Sequence, residues 1–226
     1  MQPQDAPTAY LLKLWPWIEA NKNRLIIGVG ITAVAVFLFS FFSWRGEQKE
    51  IEAGKALTQL IFSIPPNASP GQLADSYLKI ANEYPDTFAG RRAWSQGATA
   101  LFAAGQFADA QAQFGKFLDA HPDGAFSASA ALGVAASLEA QGKLDLALGA
   151  YQKVINGFSD VVAANTAKFA LARIDEQQGK YTDAFNFYED IARSSPGTPL
   201  ASEAGLRAME LKAKLASANK PAANKP

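Results

Sequence analysis

Residues 94–122 read WSQGATALFAAGQFADAQAQFGKFLDAHP, and they hold a pattern that recurs downstream. The pattern turns at Gly105, where a glycine precedes a polar and then a large apolar residue. The same turn recurs at Gly142 and at Gly179, a step of 37 residues each time. Self-similarity at a fixed step of this size is typical of solenoids built from stacked helical hairpins. The repeat therefore predicts an all-α solenoid, a fold that offers a long surface to other molecules.

Several other residue types keep the same step along the chain. They are alanine at Ala110, Ala147 and Ala184, an aromatic residue at Tyr77, Phe114, Tyr151 and Tyr188, and a large apolar residue at Ile80, Phe117, Val154 and Ile191. Small side chains allow two helix backbones to approach closely, and aromatic side chains fill the grooves between helices. These positions therefore predict the buried faces of the hairpins.

The first copy of the pattern shows how one hairpin is built. Its first helix is predicted over about Phe88 to Ala104 and its second over about Ala108 to Ala120. Gly105 lies between them, and glycine readily takes the left-handed conformation that often ends a helix. Pro122 follows the second helix, which a proline cannot continue.

Further helices are predicted on both sides of the three copies. Ser69, followed by a proline, is typical of a helix start. A preceding helix over about 48–62 would continue out of the apolar segment that ends at Trp44 and complete a degenerate first unit. Thr198, again followed by a proline, predicts a last helix to about Leu215 that caps the open end.

An uncharged segment runs from Leu25 to Trp44 and reads LIIGVGITAVAVFLFSFFSW. A helix of that length rises about 30 Å, enough to cross the hydrocarbon core of a bilayer. The alternatives are a cleaved signal peptide and a buried core helix. The run is longer than the roughly 7–15 apolar residues in the core of a signal peptide. No face of the helix is polar, whereas the helices of a globular protein usually have one polar face. We therefore predict a single transmembrane helix.

The orientation of this helix is less strongly determined. Three basic residues precede the segment and three follow it closely, so the positive-inside rule does not decide between the two orientations. A short N-terminal tail inside the cell and a large domain outside is the expectation.

Composition narrows the possible functions. The 226 residues include 21 Lys plus Arg and 21 Asp plus Glu, and no basic run stands out. This argues against nucleic acid as a partner, because phosphate neutralisation needs clustered cations. The chain contains no cysteine, which excludes disulfides and Cys-based metal sites.

The repeat resembles the tetratricopeptide pattern position by position. In the first copy the match runs through Trp94, Gly97, Ala98, Leu101, Gly105, Phe107, Ala110, Phe114, Phe117 and Pro122. The third copy departs from it at Lys168 and Asp175, where the pattern prefers large apolar groups. The 37-residue step exceeds the usual 34 and resembles the envelope variant seen in the assembly lipoprotein BamD and the cell-division coordinator CpoB.

The order of parts resembles one family more closely, YfgM, the ancillary subunit of the bacterial Sec translocon. Residues Trp17 to Arg24, leading directly into Leu25, are similar to that family's entry into its membrane helix. The resemblance implies a cytoplasmic tail, one helix in the inner membrane and a periplasmic tetratricopeptide domain. The expected division is a tail over 1–24, a membrane helix over 25–44, a solenoid over 46–213 and a disordered tail over 214–226, which is poor in large apolar residues.

No catalytic, cofactor-binding or metal-ligating residues are predicted. The only histidine, His121, precedes Pro122 at the end of a predicted helix, and packing there is the simplest interpretation. No nucleophile elbow, phosphate-binding glycine loop or zinc pattern is present.

The resemblance also implies where partners bind. In tetratricopeptide solenoids the first helix of each hairpin lines the concave face, and carrying those positions over gives Arg92, Ser95, Thr99, Phe102, Ser129, Leu132, Ala136, Glu139, Thr166, Phe169, Arg173 and Glu176. Phe102, Leu132 and Phe169 would form an apolar stripe with a mixed-charge border. Exposed apolar groups in a groove favour a protein partner.

Two functions remain open from the sequence. The first is a membrane-anchored adaptor or co-chaperone at the translocon, with translocon subunits, periplasmic chaperones or unfolded clients as partners. The alternative is a scaffold for outer-membrane or cell-wall assembly, as in the lipoprotein and the division coordinator. An enzyme is not expected.

Overall fold

The computed structural model describes residues 6–218, and for residues 6–15, Ile18 and Ala218 it describes the backbone alone. Within that part of the chain every regular element is a helix, which confirms the predicted all-α class. The helices are α1 (Ala6–Ser63), α2 (Pro70–Glu83), α3 (Phe88–Ala103), α4 (Phe107–Ala120), α5 (Ser127–Ala140), α6 (Leu144–Gly157), α7 (Val161–Gln177), α8 (Tyr181–Ser194) and α9 (Pro199–Ala218).

The chain forms two structural units, residues 1–52 and residues 53–226. The first unit is the greater part of α1. Between Glu19 and Ser63 this helix is long and apolar enough to cross a membrane, and none of its most apolar stretch is buried. The large side chains from Ile26 to Phe42 are exposed, as a lipid-facing helix requires.

The second unit consists of stacked hairpins whose turns follow the repeated glycines. Gly105, Gly142 and Gly179 have φ angles of 76°, 74° and 77°, in the left-handed region that favours glycine. The next residue after each glycine donates its backbone N–H to a carbonyl five residues earlier, as from Gln106 to Leu101. This bond ends the first helix of the hairpin, and the second helix begins directly after it. The predicted hairpin turns are therefore confirmed.

The predicted helix starts also hold. The Ser69 side chain accepts from the backbone N–H of Gln72, and the Gln72 side chain accepts from the N–H of Ser69, which is a complete capping box. Thr198 accepts from the backbone N–H of Ala201 at 3.2 Å. Thr87 and Asp160 cap α3 and α7 in the same way.

The core lies between neighbouring hairpins. The second helix of each hairpin packs against the first helix of the next, as α4 does on α5, α6 on α7 and α8 on α9. The alanines that keep the repeat step, Ala110, Ala147 and Ala184, are fully inaccessible there. The aromatics at the repeat step are buried as well, except Tyr77, which is half-buried. The buried faces predicted from the repeat are therefore confirmed.

The C-terminal end of the fold differs from the sequence expectation. Helix α9 continues to Ala218, so the first five residues of the expected disordered tail, Lys214 to Ala218, are helical. Lysine, leucine and alanine are strong helix formers, and Lys214 lies against the ring of Tyr181. The rest of that tail, 219–226, is outside the described residues. At the other end, the helix predicted over 48–62 continues directly from the apolar segment, as expected, because α1 is one helix from Ala6 to Ser63.

Candidate protein-binding surface

The candidate binding residues lie on α3, α5 and α7, the first helices of three successive hairpins. Helix α3 contacts α5 and α5 contacts α7, so the structure brings the three sets of positions into one row. None of the twelve side chains is fully buried. Arg92, Thr99, Ser129, Thr166 and Arg173 are exposed, and the others are half-buried.

The three apolar candidates, Phe102, Leu132 and Phe169, already pack against other residues of the same chain. The ring of Phe102 stands edge-on to Phe107 at 5.1 Å between centroids, and Phe169 stands edge-on to Tyr188 at 5.2 Å. Leu132 packs against the core between the second and third hairpins. The row therefore exposes polar and charged groups more than the expected apolar stripe.

A charged network joins two of the hairpins. Tyr151 donates its hydroxyl to Glu139 at 2.8 Å, and the guanidinium of Arg173 pairs with the other oxygen of the same carboxylate. Burial of the ring and the neighbouring carboxylate together raise the pKa of Tyr151 well above its usual range. Glu139 thus connects α5, α6 and α7 across the repeat boundary.

The same tyrosine–carboxylate pair occurs one repeat later. Tyr188 donates to Glu176 at 3.3 Å, and burial followed by the charge of Glu176 raises the pKa of Tyr188 to about 12. In the first copy these two positions are Phe102 and Phe114. The charge on the row is therefore concentrated in the later hairpins.

A cavity of about 440 Å³ lies between α7, α8 and α9. Phe169, Arg173 and Glu176 line it, so three of the candidate residues meet in one hollow. Sequence reasoning missed the other lining residues, Gln177, Tyr181, Tyr188, Glu203, Arg207 and Lys214. One signal was present, since Glu203 lies one repeat step after Thr166, but α9 was interpreted only as a cap.

The cavity carries both charge signs beside aromatic faces. The Lys214 ammonium lies 3.7 Å from the centroid of the Tyr181 ring, a cation–π contact. Arg207 is 3.8 Å from Glu210, too far for a hydrogen bond, which leaves its donors available. Cationic groups, carboxylates and aromatic rings in one hollow are suited to polypeptide side chains of mixed character.

A larger hollow, of about 900 Å³, runs along α1 from Arg24 to Ser40. Residues of a single helix form all of its lining. It is therefore the open groove of an uncovered apolar helix, and it belongs to the predicted membrane segment rather than to the row on α3, α5 and α7.

His121 packs at the end of α4. Its ring lies 5.2 Å from that of Phe117 and 6.3 Å from that of Trp94. In the described residues no group of three or more His, Cys, Asp or Glu side chains is placed to hold a metal ion. Solenoids of this kind are typically interaction scaffolds.

The Tyr188–Glu176 pair predicts a pH dependence of stability. The folded pKa of about 12 is above the roughly 10 of an unfolded tyrosine, so the stabilisation is complete below pH 10. It is lost as the pH rises from about 10 through 12. Absorbance at the tyrosinate band during an alkaline titration measures this, and Glu176→Gln is expected to lower the pKa by removing the nearby charge. An unchanged titration in that variant would contradict the assignment.

The comparison with protein-family models agrees with this fold. A family model described as a tetratricopeptide repeat-like domain matches residues 16–158 and 103–205. Two crystal structures of nearly identical TPR-like repeats from a Podosopora anserina protein, assigned as a kinesin light chain, are similar in structure. One is 12% identical, with a TM-score of 0.49, over 76% of this chain and 87% of that chain.

The other is 13% identical, with a TM-score of 0.45, over 78% of this chain and 98% of that chain. No curated protein sequence matches this chain. The family matches together extend from residue 16 to residue 205, most of the sequence. The chain belongs to the tetratricopeptide repeat-like domain family.

Proposed function

We propose that this chain is a membrane-anchored adaptor or co-chaperone that binds proteins at the Sec translocon from the periplasmic side. Its membrane anchor is Leu25 to Trp44 in the bacterial inner membrane, with the N-terminus in the cytoplasm. The observation that carries the proposal is the direct succession of an uncovered apolar helix and tetratricopeptide-like hairpins. The family match begins at residue 16 and so includes the apolar segment.

The binding surface is the row on α3, α5 and α7, continued by the cavity at α9. Its exposed groups include Arg173 and Thr99, and its charges are held in place by the tyrosines beneath them. A membrane anchor raises the local concentration of partners in the same membrane, so modest affinity is sufficient. Binding is the function that this row supports.

Photocrosslinking in membranes tests this proposal. A photoreactive residue at Thr99 or Thr166, both exposed on the row, is expected to crosslink translocon subunits or periplasmic chaperones. These positions are better probes than Phe102 and Phe169, whose rings are engaged in packing. Arg173→Glu should reduce the yield about fivefold, because it reverses the charge at the rim of a binding surface.

Leu146 provides the matched control. It is exposed on α6, outside the row, and a photoreactive residue there should not capture the same proteins. Capture of outer-membrane or cell-wall assembly proteins from Thr99 and Thr166 would instead support the alternative scaffold function. Protease protection of the whole solenoid in intact spheroplasts would exclude the periplasmic location.

A further inference from the structure

The outer face of α9 is unusually apolar for the end of a solenoid. One side of the helix is buried against α8 through Ala201, Ala204, Ala208 and Leu211. On the opposite side, Leu206 and Met209 are 64% and 70% exposed. Terminal helices of repeat proteins normally carry a polar outer face, because nothing stacks on them. Within the described residues the fold of one chain leaves this apolar face uncovered.

The repeat step shows what Met209 lacks. Its equivalents in the three preceding first helices are Ala98, Ala135 and Ala172, all fully inaccessible. Each of these alanines shares a core cluster with an alanine of the helix that follows in the same hairpin, as Ala172 does with Ala184. Met209 thus occupies the position that packs against a second helix. Residues 219–226 include no large apolar side chain.

We propose that the α9 helix of a second copy of this chain covers this face in an antiparallel pair. The second helix of every hairpin runs antiparallel to the first, so an antiparallel α9 would supply the missing packing in the same direction. Ser202 and Ala213 lie on the same exposed stripe as Leu206 and Met209. Their small size lets the two helices approach closely around the methionine.

Charges beside the stripe are complementary in this arrangement. Glu203, Arg207, Glu210 and Lys214 are all exposed and alternate in sign along α9. A two-fold axis beside Met209 places Glu203 opposite Lys214 of the second copy, and Arg207 opposite Glu210 of the second copy. The same surface patch then serves both chains, as a two-fold interface requires. A parallel pair would instead place this charged flank against the opposite flank of the second copy, which carries Lys212, and the four charges would not meet one another.

The apolar stripe of the α9 pair is separate from the proposed binding surface. Leu206 and Met209 line neither the row on α3, α5 and α7 nor the cavity, whereas Glu203, Arg207 and Lys214 border both the stripe and the cavity. Two helices form a small interface for a stable soluble dimer, and anchoring both copies in one membrane would favour the pair by raising their local concentration.

Disulfide crosslinking of the full chain tests the pair, because the chain has no cysteine of its own. In the antiparallel register the two copies of residue 209 are offset by about 1.5 Å along the helix, those of residue 206 by about 7.5 Å and those of residue 213 by about 13 Å. A disulfide needs Cβ atoms roughly 3.5–4.5 Å apart. Met209→Cys is therefore expected to form a dimer at least about fivefold faster than Leu206→Cys or Ala213→Cys.

The reaction is run on membranes and again after detergent extraction, with Leu146→Cys as the control for random collision. The side chain of Leu146 is 61% exposed, a fraction similar to the 70% of Met209. Equal dimer formation at all four positions would show collision and overturn the proposal. Fast crosslinking at residues 206, 209 and 213 together would show a parallel pair, and a disulfide from Met209→Cys to a different protein would show another occupant. Either result also overturns it.

A charge exchange provides the second test, in the Met209→Cys background. Glu203→Lys alone and Lys214→Glu alone each place like charges opposite one another, and each is expected to slow dimer formation about tenfold. The double variant restores opposite charges and should return the rate to within about twofold. Lys212→Glu, on the other flank of α9, is the matched control and should leave the rate unchanged. If both single variants form the dimer slowly and the double variant does not regain the original rate of dimer formation, this antiparallel register is rejected.

Discussion

Phe117→Ala is expected to lower the free energy of unfolding of the solenoid by about 3–5 kcal/mol. Phe117 is 1% exposed and lies in the core cluster between the first two complete hairpins. Its ring meets that of Trp94 edge-on at 5.6 Å and touches His121. Truncation removes these contacts and leaves a cavity that surrounding helices cannot close without moving. Urea unfolding of the full chain in detergent, followed by circular dichroism, measures the change.

Two variants make this test specific. Phe117→Leu keeps most of the apolar volume and should cost less than the alanine variant. Leu146→Ala removes a large side chain that is exposed and should change stability by less than about 0.5 kcal/mol. A loss in Phe117→Ala no larger than in Leu146→Ala would mean that the first two hairpins do not pack as described.

Much of this fold was predictable because the same local sequence signals occur in three successive repeats. The left-handed glycine, the alanine and the buried aromatic occupy equivalent positions in each hairpin, so one interpretation predicted all three. The signals are local: Gly105 ends a helix by its own conformational freedom, and Ser69 starts one through its own side chain. Such features depend little on the rest of the molecule.

What the sequence did not predict depends on contacts between repeats. The pairing of Glu139 with Arg173 joins positions 34 residues apart, which are not equivalent in the repeat. The cavity at α9 was missed because its lining comes from three helices and because α9 was interpreted only as a cap, although its residues keep the repeat step. Helix α9 was also expected to end near Leu215, but it continues to Ala218. The contact of Lys214 with the ring of Tyr181 on α8 helps to hold its last turn, and a contact between two helices is not visible in the sequence of α9 alone.

Gly133→Ala is expected to lower the free energy of unfolding by about 1–2 kcal/mol, although alanine is the better helix former. Gly133 lies within α5, where replacing glycine by alanine normally gains about 0.5–1 kcal/mol. A Cβ atom at this position would lie 2.4–2.5 Å from three ring atoms of Phe114. That ring is buried against the core and has little space to move, so the cost of overpacking, about 1–3 kcal/mol, exceeds the gain.

Gly149→Ala is the matched control because it adds the same Cβ atom within a helix, at a position where that atom would have no neighbour within 4 Å. It should raise the free energy of unfolding by about 0.5–1 kcal/mol, so the two substitutions are expected to have opposite signs. Phe114→Leu should reduce the cost of Gly133→Ala, since the two residues are in contact and their effects couple. Stabilisation by both glycine substitutions would show that Phe114 does not fill the groove beside α5. The sign of the difference therefore tests the close approach of hairpins on which the solenoid depends.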